Sequence, residues 1–376
     1  MESKLAAQLE SLKLQGLYRS RRIIDDKTVV NFCSNDYLGL AKNETVIAAF
    51  KKAADIYGVG SGSAHLICGH SYAHHALEEE LAQFTGRERA LLFSTGYMAN
   101  VGTINALLKQ GDSVFEDKLN HASLLDGGLS SVAHFKRYPH ADLKQLEKLL
   151  TGANGQKLIV TDGVFSMDGD VAPLHELAKI ATQKSAWLMV DDAHGFGVLG
   201  KMGGGLVEEL NLTQNDVPIL MGTLGKAFGT FGAFIAGSET LIETLIQSAR
   251  TYIYTTALPP AIAEATRASL KIIIHETWRR EKLQSLITQF KTGAAQLNLP
   301  LMPSDSPIQP LLIGDSFRAT QMSEQLLNAG FLVSAIRPPT VPKNKARLRI
   351  TFSALHESED VARLLETLHR LYKLEN

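Results

Sequence analysis

Between about residues 45 and 240 short apolar runs alternate with helical stretches, and this alternation restricts the fold more than any other feature. RALLFS, DSVFED, KLIVTDG, AWLMVDDAHG and VPILMGTLGK read as strands, because each apolar run stops at polar or small residues. HHALEEELAQFTG, ADLKQLEKLL and PLHELAKIATQKS read as helices between them. Strands separated by crossover helices pair in parallel, so the pattern predicts an α/β fold. Its central sheet is mostly parallel, with helices on both faces. In such sheets ligands bind beyond the carboxyl ends of the strands. The residues that end each apolar run are therefore where chemistry is to be sought.

The pattern differs outside this region. The first 22 residues read as an amphipathic helix with Leu5, Leu9, Leu12 and Leu14 on its apolar side and Arg19, Arg21 and Arg22 at its basic end. Beyond 240 a helical region is interrupted by Pro259 and Pro260. IQPLLIG, a helix ending at Gly330, FLVSAI, a proline-rich loop, RLRITFS and a last helix from about Ser358 follow. This predicts an N-terminal helix and arm (1–44), a large domain (45–240), a helical connection (241–290) and a smaller C-terminal α+β domain (291–376).

A formal net charge of -1 gives no reason to expect attraction to nucleic acid or an anionic membrane. No stretch approaches the roughly 18 apolar residues of a membrane span, and the charged first ten residues lack a signal-peptide core. Two cysteines, Cys33 and Cys68, in 376 residues read as reduced thiols of a cytoplasmic protein.

Three strand ends carry candidate chemistry. Lys226 follows the run PILMG, flanked by Gly225, Ala227, Phe228 and Gly229. These neighbours make a poor solvated face and suit a lysine reaching into a pocket with a lowered pKa. Asp191 and Asp192 end AWLMVDDAHG. A strand-end acid can simply cap a turn, and Asp191, Asp192 and His194 could also hold a metal. FSTGYMAN (93–100) places a strand end, a glycine and a helix start in succession, so that Gly96 and Tyr97 would offer backbone N–H groups to an anion. YGVGSGSAH (57–65) follows no apolar strand and reads as a tight loop lining the site. A lysine for the aldehyde, an acid for the ring nitrogen and a cradle for the phosphate are what pyridoxal 5'-phosphate asks of a protein. On that reading Asp191 pairs with the pyridinium nitrogen, and His194 lies near the ring hydroxyl.

With NFCSNDYLGL, GSGSAHLICGHSYAHHALEEELA, NHASLLDG, TDGVFSMDGDVAPL, VDDAHGFGVLG, TLGKAFG, YIYTTALPP and RLRITFSALH, the chain resembles the α-oxoamine synthases over nearly its whole length. These are fold-type-I pyridoxal-phosphate enzymes that condense an amino acid with an acyl thioester. The resemblance implies that Lys226 both tethers the cofactor and takes the Cα proton, and that His121 stacks on the ring and touches substrate. It implies that Ser166 joins His194 near the ring hydroxyl and that Thr223 meets the phosphate. Thr255 and Thr256 would bring a hydroxyl from a neighbouring subunit to that phosphate, as in a homodimer with shared sites. Asn35 and Arg349 would position the amino acid, Arg349 gripping its carboxylate bidentately. Arg347 and Arg349 share a strand face, so one of them could equally be a surface residue. Arg19 and Thr340 match substrate-contacting positions, Arg19 facing the far carboxylate of the acyl chain. Tyr97 stands where phenylalanine is common in the family and Ala227 where glycine is.

Within the family, AIRPPTVPKNKARLRIT is most similar to members that join L-alanine to a pimeloyl group carried as pimeloyl-CoA or pimeloyl-acyl carrier protein. Members that take glycine and acetyl-CoA are the nearest alternative. A non-catalytic partner protein on the same fold is the alternative of another class, and the presence of Lys226 counts against it.

Overall fold

The structure, a computed structural model, describes residues 1–15, 18–19, 21, 23–24 and 28–373; Arg22 lies outside them. Seven strands form the main sheet: β1 (Arg89–Phe93), β2 (Ser113–Asp117), β3 (His134–Tyr138), β4 (Lys157–Asp162), β5 (Ala186–Asp191), β6 (Ile219–Thr223) and β7 (Ala233–Gly237). Their order is β1-β7-β6-β5-β4-β2-β3. The five apolar runs singled out above are β1, β2, β4, β5 and β6. β3 and β7 escaped the sequence pattern for different reasons. β3, HFKRY, is an edge strand, where charged side chains keep neighbouring chains from pairing. β7, AFIAG, follows β6 without a crossover helix, so it returns antiparallel to β6 and also pairs antiparallel with β1. All other pairings in the sheet are parallel.

β2, β6 and β7 are buried along their whole length, and β4 and β5 along most of it. Two apolar clusters flank the sheet, one including Val160, Met189 and Met221 and the other Ile159, Val190 and Leu220. This alternation along the strands is what a sheet covered on both faces requires. Parallel register places Asp162 of β4 beside Asp191 of β5, and Asp191 beside Met221 of β6. The polar ends of these strands therefore gather at one edge.

A second sheet has β8 (Ile308–Gly314), β9 (Ser334–Ile336) and β10 (Ala346–Thr351), with β10 in the middle and antiparallel to both neighbours. The N-terminal arm is woven into this part of the molecule. Residues 30–31 pair in parallel with 331–332, Thr351 N–H donates to the Phe32 carbonyl, and Ala354 N–H to that of Tyr37. Phe32 packs among Phe331, Phe352 and His356. The arm thus brings Asn35 and Tyr37 up to β10.

The N-terminal helix is shorter than its sequence suggests, Glu2–Leu14, and buries no residue. Leu5, Leu9, Leu12 and Leu14 are exposed. Its apolar side has no cover among the described residues. The Pro259-Pro260 pair marks the start of helix Pro260–His275, where a first-turn proline removes no intrahelical hydrogen bond.

Candidate active site

Lys226 sits in the turn after β6, within hydrogen-bonding distance of a buried histidine: its Nζ lies 2.8 Å from His194 Nε2. Burial, the largest influence, pushes the amine down to about 8, against the upward pull of Asp191 and Asp162. Such a lysine has a usable neutral fraction near neutral pH, as a nucleophile or a proton acceptor requires.

Asp191, at the carboxyl end of β5, is 3% exposed. One carboxyl oxygen accepts from Asn100 Nδ2 at 2.7 Å and the other from the Ala193 N–H at 3.0 Å. Asn100 also donates to Ser123 Oγ, which lies 2.8 Å from His121 Nδ1. Helix Gly96–Leu107 thus locks Asp191 to the segment that carries His121. His121 caps helix Ala122–Ser130, and its backbone N–H donates to Asp162 at 2.6 Å. The residue itself is exposed, so it is open to a ligand. Asn100 was not singled out in the sequence, although FSTGYMAN ends on it. Four residues into a helix it reads as an ordinary helical asparagine; only the packing turns it to Asp191.

At the start of the same helix Thr95 caps by accepting from the Met98 N–H. The N–H groups of Gly96 and Tyr97 have no intrahelical acceptor in this first turn. A Cβ on Gly96 would come within 2.8 Å of the Met221 methyl carbon, so the helix start packs closely on β6 and a larger residue there would push the Met221 side chain aside. Thr223, the last residue of β6, donates its hydroxyl to the Gly232 carbonyl at 3.2 Å. Thr255 is half-buried and Thr256 exposed, and the Thr256 carbonyl lies 3.5 Å from Ser94 Oγ. The glycine-rich loop is held to the next residues of that segment, through Ser61 Oγ to the Leu258 carbonyl and Ala257 N–H to the Ser63 carbonyl.

The cationic side of the pocket is Arg349. Its Nε donates to the Ser166 carbonyl at 2.7 Å, and its two terminal nitrogens lie 3.3 and 3.2 Å from Asn35 Oδ1. Arg347 is no surface residue: it is 3% exposed and pairs with Asp168 at 2.5 Å. Both arginines face the loop after β4, so β10 clamps the turn that carries Ser166. His140 clamps the same loop from the other end, bridging Asp117 and Asp170 at 3.1 and 2.7 Å. Those two carboxylates hold its imidazolium up to about 10.

Tyr37, fully buried, was also unmarked in the sequence. Its hydroxyl lies 2.6 Å from His194 Nδ1 and 3.1 Å from Asn35 Oδ1. Both His194 nitrogens are therefore occupied. Asp191 is committed to Asn100 and Ala193, and Asp192 to the Leu206 N–H at 2.6 Å. Asp191, Asp192 and His194 thus each bond elsewhere and do not converge as metal ligands. The group whose ligand atoms do converge among the described residues, within 4.8 Å, is His70, His75 and Glu78. Arg19 and Thr340 lie together on a separate cavity of about 230 Å³, with Ala335, Ile336, Arg337, Pro338 and Pro339.

A lysine, a donor-held carboxylate and a glycine-bounded helix start, all at the ends of adjacent elements, fit pyridoxal 5'-phosphate. The sequence profile of aminotransferase class I and II matches residues 27–368. The chain is 60% identical to the 8-amino-7-oxononanoate synthase of Thioalkalivibrio sulfidiphilus (strain HL-EbGR7), over 97% of this chain and 96% of that protein. The chain belongs to the class I and II aminotransferases, among the 8-amino-7-oxononanoate synthases. The 8-amino-7-oxononanoate synthase of Francisella tularensis superposes with a TM-score of 0.82 at 35% identity, covering 93% of this chain and 99% of that one. A serine palmitoyltransferase variant from S. paucimobilis, solved with PLP and myriocin bound, gives 0.92 at 29% identity, covering 99% and 97%. The family and this neighbour make pyridoxal 5'-phosphate the cofactor and the architecture fold type I.

Proposed function

We propose that this aminotransferase-family chain condenses L-alanine with a pimeloyl thioester, releasing CO2 and the free thiol and forming 8-amino-7-oxononanoate for biotin synthesis. The observation that carries the reading is Lys226, held neutral-prone beside His194 between Asp191 and Arg349, in a chain so close to named 8-amino-7-oxononanoate synthases. The bound cofactor supplies an electron sink for the pair left at the amino acid's Cα.

The chain's own residues do the rest. Lys226 would hold the cofactor, and its amine would serve as the base for the Cα proton. Asp191, fixed by Asn100, would face the ring nitrogen, and His121 would offer its open face to the ring. The first N–H groups of helix Gly96–Leu107 and Thr223 cradle the phosphate. A hydroxyl of Thr255 or Thr256 from a second copy joins them in a homodimer. Ser166 and His194 meet the ring hydroxyl. Arg349 and Asn35 would orient the alanine carboxylate and so the amino acid's Cα. A bond then forms between Cα and the thioester carbonyl carbon while the thiolate leaves. The bond from Cα to the original carboxylate breaks as CO2, and a proton returns to Cα. Arg19 and Thr340, on their own cavity, suit the far carboxylate of the pimeloyl chain.

No helix of the described residues is long and apolar enough to cross a membrane. The two free cysteines, Cys33 and Cys68, are in keeping with work in the cytoplasm. Mass spectrometry of products from alanine or glycine, each with pimeloyl-CoA, pimeloyl-acyl carrier protein or acetyl-CoA, tests the proposal. The amino ketone of alanine and pimeloyl is expected; faster turnover of glycine with acetyl-CoA would overturn it.

A further inference from the structure

His65, His70, His74 and His75 crowd together at the start of helix Tyr72–Thr85. Two of them are committed to the protein. His74 is fully buried; its Nδ1 accepts from the Ser71 N–H at 3.0 Å and its Nε2 donates to the Leu258 carbonyl at 2.6 Å. His65 is buried too, stacked on Tyr252 with ring centroids 4.9 Å apart. His70 and His75 are exposed, their rings close to perpendicular. His75 and Glu78 are three residues apart on the helix, so they share a face. Glu78 Oε1 accepts from the Leu92 N–H of β1 at 2.9 Å, and Oε2 lies 3.9 Å from His70 Nε2. One ring nitrogen of each exposed histidine and a carboxyl oxygen of Glu78 all fall within 4.8 Å of one another.

We propose that His70, His75 and Glu78 bind a divalent transition-metal ion of the zinc type, with water completing its coordination.

The donor set selects the ion. Two imidazoles and one carboxylate suit zinc, whereas magnesium and calcium take oxygen ligands. A tetrahedral zinc with bonds of about 2.0–2.2 Å holds its ligand atoms roughly 3.4 Å apart. His70 and Glu78 are already near that spacing. His75 is exposed and its Nε2 touches only the exposed Glu79, at 3.3 Å, a surface contact that a ring rotation can exchange for the ion. To coordinate through Nε2, His70 must keep its proton on Nδ1, and His65 Nδ1 is 3.0 Å away to accept it. The Leu92 N–H fixes the second oxygen of Glu78 in the same supporting way. No lysine or arginine pairs with Glu78 among the described residues, so this buried carboxyl lacks the countercharge that an ion would bring.

The ion would brace a loop. His70 lies just beyond the glycine-rich stretch, which is tied at its other end to Ala257 and Leu258 through Ser63 and Ser61. Joining His70 to helix Tyr72–Thr85 would fix that stretch from both sides. None of the three ligands belongs to the group placed around Lys226, so the site stands or falls without the cofactor reading.

The test uses the full chain loaded with pyridoxal phosphate, stripped of metal by a chelator, dialysed and titrated with zinc chloride in a calorimeter. Wild type is expected to take up one equivalent at this site. His70→Ala and His75→Ala, both at exposed positions, are each expected to weaken that binding by more than roughly 100-fold, beyond the 10- to 100-fold of a lost supporting residue. His65→Phe keeps a ring on Tyr252 and removes the acceptor, and a loss of roughly tenfold is expected. His134→Ala, at an exposed histidine on the edge strand β3, is expected to change nothing. Uptake of less than one equivalent by wild type would overturn the proposal. So would wild-type affinity in either His70→Ala or His75→Ala, or an equal loss in His134→Ala.

Discussion

Asp191 and Arg349 act on the same lysine with opposite sign, and they are built in different ways. Asp191 belongs to one sheet. Its neighbours in register are Asp162 and Met221, and its donor Asn100 comes from a helix packed on that sheet. Arg349 is held across the molecule: its partners Ser166 and Asn35 are 183 and 314 residues away in sequence. The acidic end is thus a property of parallel register. The basic end exists only when the arm, the second sheet and the loop after β4 come together. Damage to the first should change how the cofactor is held, and damage to the second should change how the amino acid is held.

Lys226→Ala removes what both ends serve. Turnover is expected to fall by at least the roughly 10²–10⁴-fold typical of a lost general acid–base group, with the visible band of the loaded protein changed as well. Turnover at the wild-type rate would end the proposed function. Arg349→Lys keeps the charge and loses the fork. The KM for alanine is expected to rise roughly 10- to 100-fold, the equivalent of one charge-assisted hydrogen bond, while affinity for pyridoxal phosphate stays near wild type. A loss confined to cofactor affinity would erase the division between the two ends.

Asn100→Ala is the mirror experiment. It removes one of the two N–H donors seen on Asp191 and is expected to weaken pyridoxal phosphate binding roughly tenfold, measured by absorbance titration. The KM for alanine should move less than in Arg349→Lys.

The smallest effect belongs to His140, which pins the Ser166 loop. Its folded pKa is raised to about 10, above the ordinary 6.5, by Asp117 and Asp170. Its contribution to stability is therefore full below about pH 6.5 and is lost as pH rises toward 10. The apparent Tm of the wild type should exceed that of His140→Gln by roughly 2–4 °C at pH 6.5, with the gap closing near pH 10. A gap independent of pH would mean that His140 packs without carrying charge.

How much the sequence revealed follows the same division. Lys226, Asp191 and the Gly96-Tyr97 turn were legible because each ends an apolar run, and a parallel sheet brings such ends together. β7 was not legible: nothing in AFIAG records that its strand runs backwards. The burial of both Arg347 and Arg349 was equally hidden. Period-two alternation places them on one face of β10 but does not say that the loop after β4 covers that face. The apolar side of helix Glu2–Leu14 erred in the other direction, since hydrophobic spacing marks a surface to be covered and nothing among the described residues covers it.

By itself the sequence determined the α/β class, the strand ends that carry the chemistry and, through its motifs, the cofactor. Those properties come from local periodicity and from short stretches whose neighbours are adjacent in the chain. The tertiary structure decided which polar atoms meet. Asn100 turning to Asp191, Tyr37 reaching His194 and Arg349 spanning Asn35 and Ser166 are long-range contacts set by how separate elements dock. A hydrogen bond depends on tenths of an ångström and on the direction of a proton, and neither is written in the order of residues.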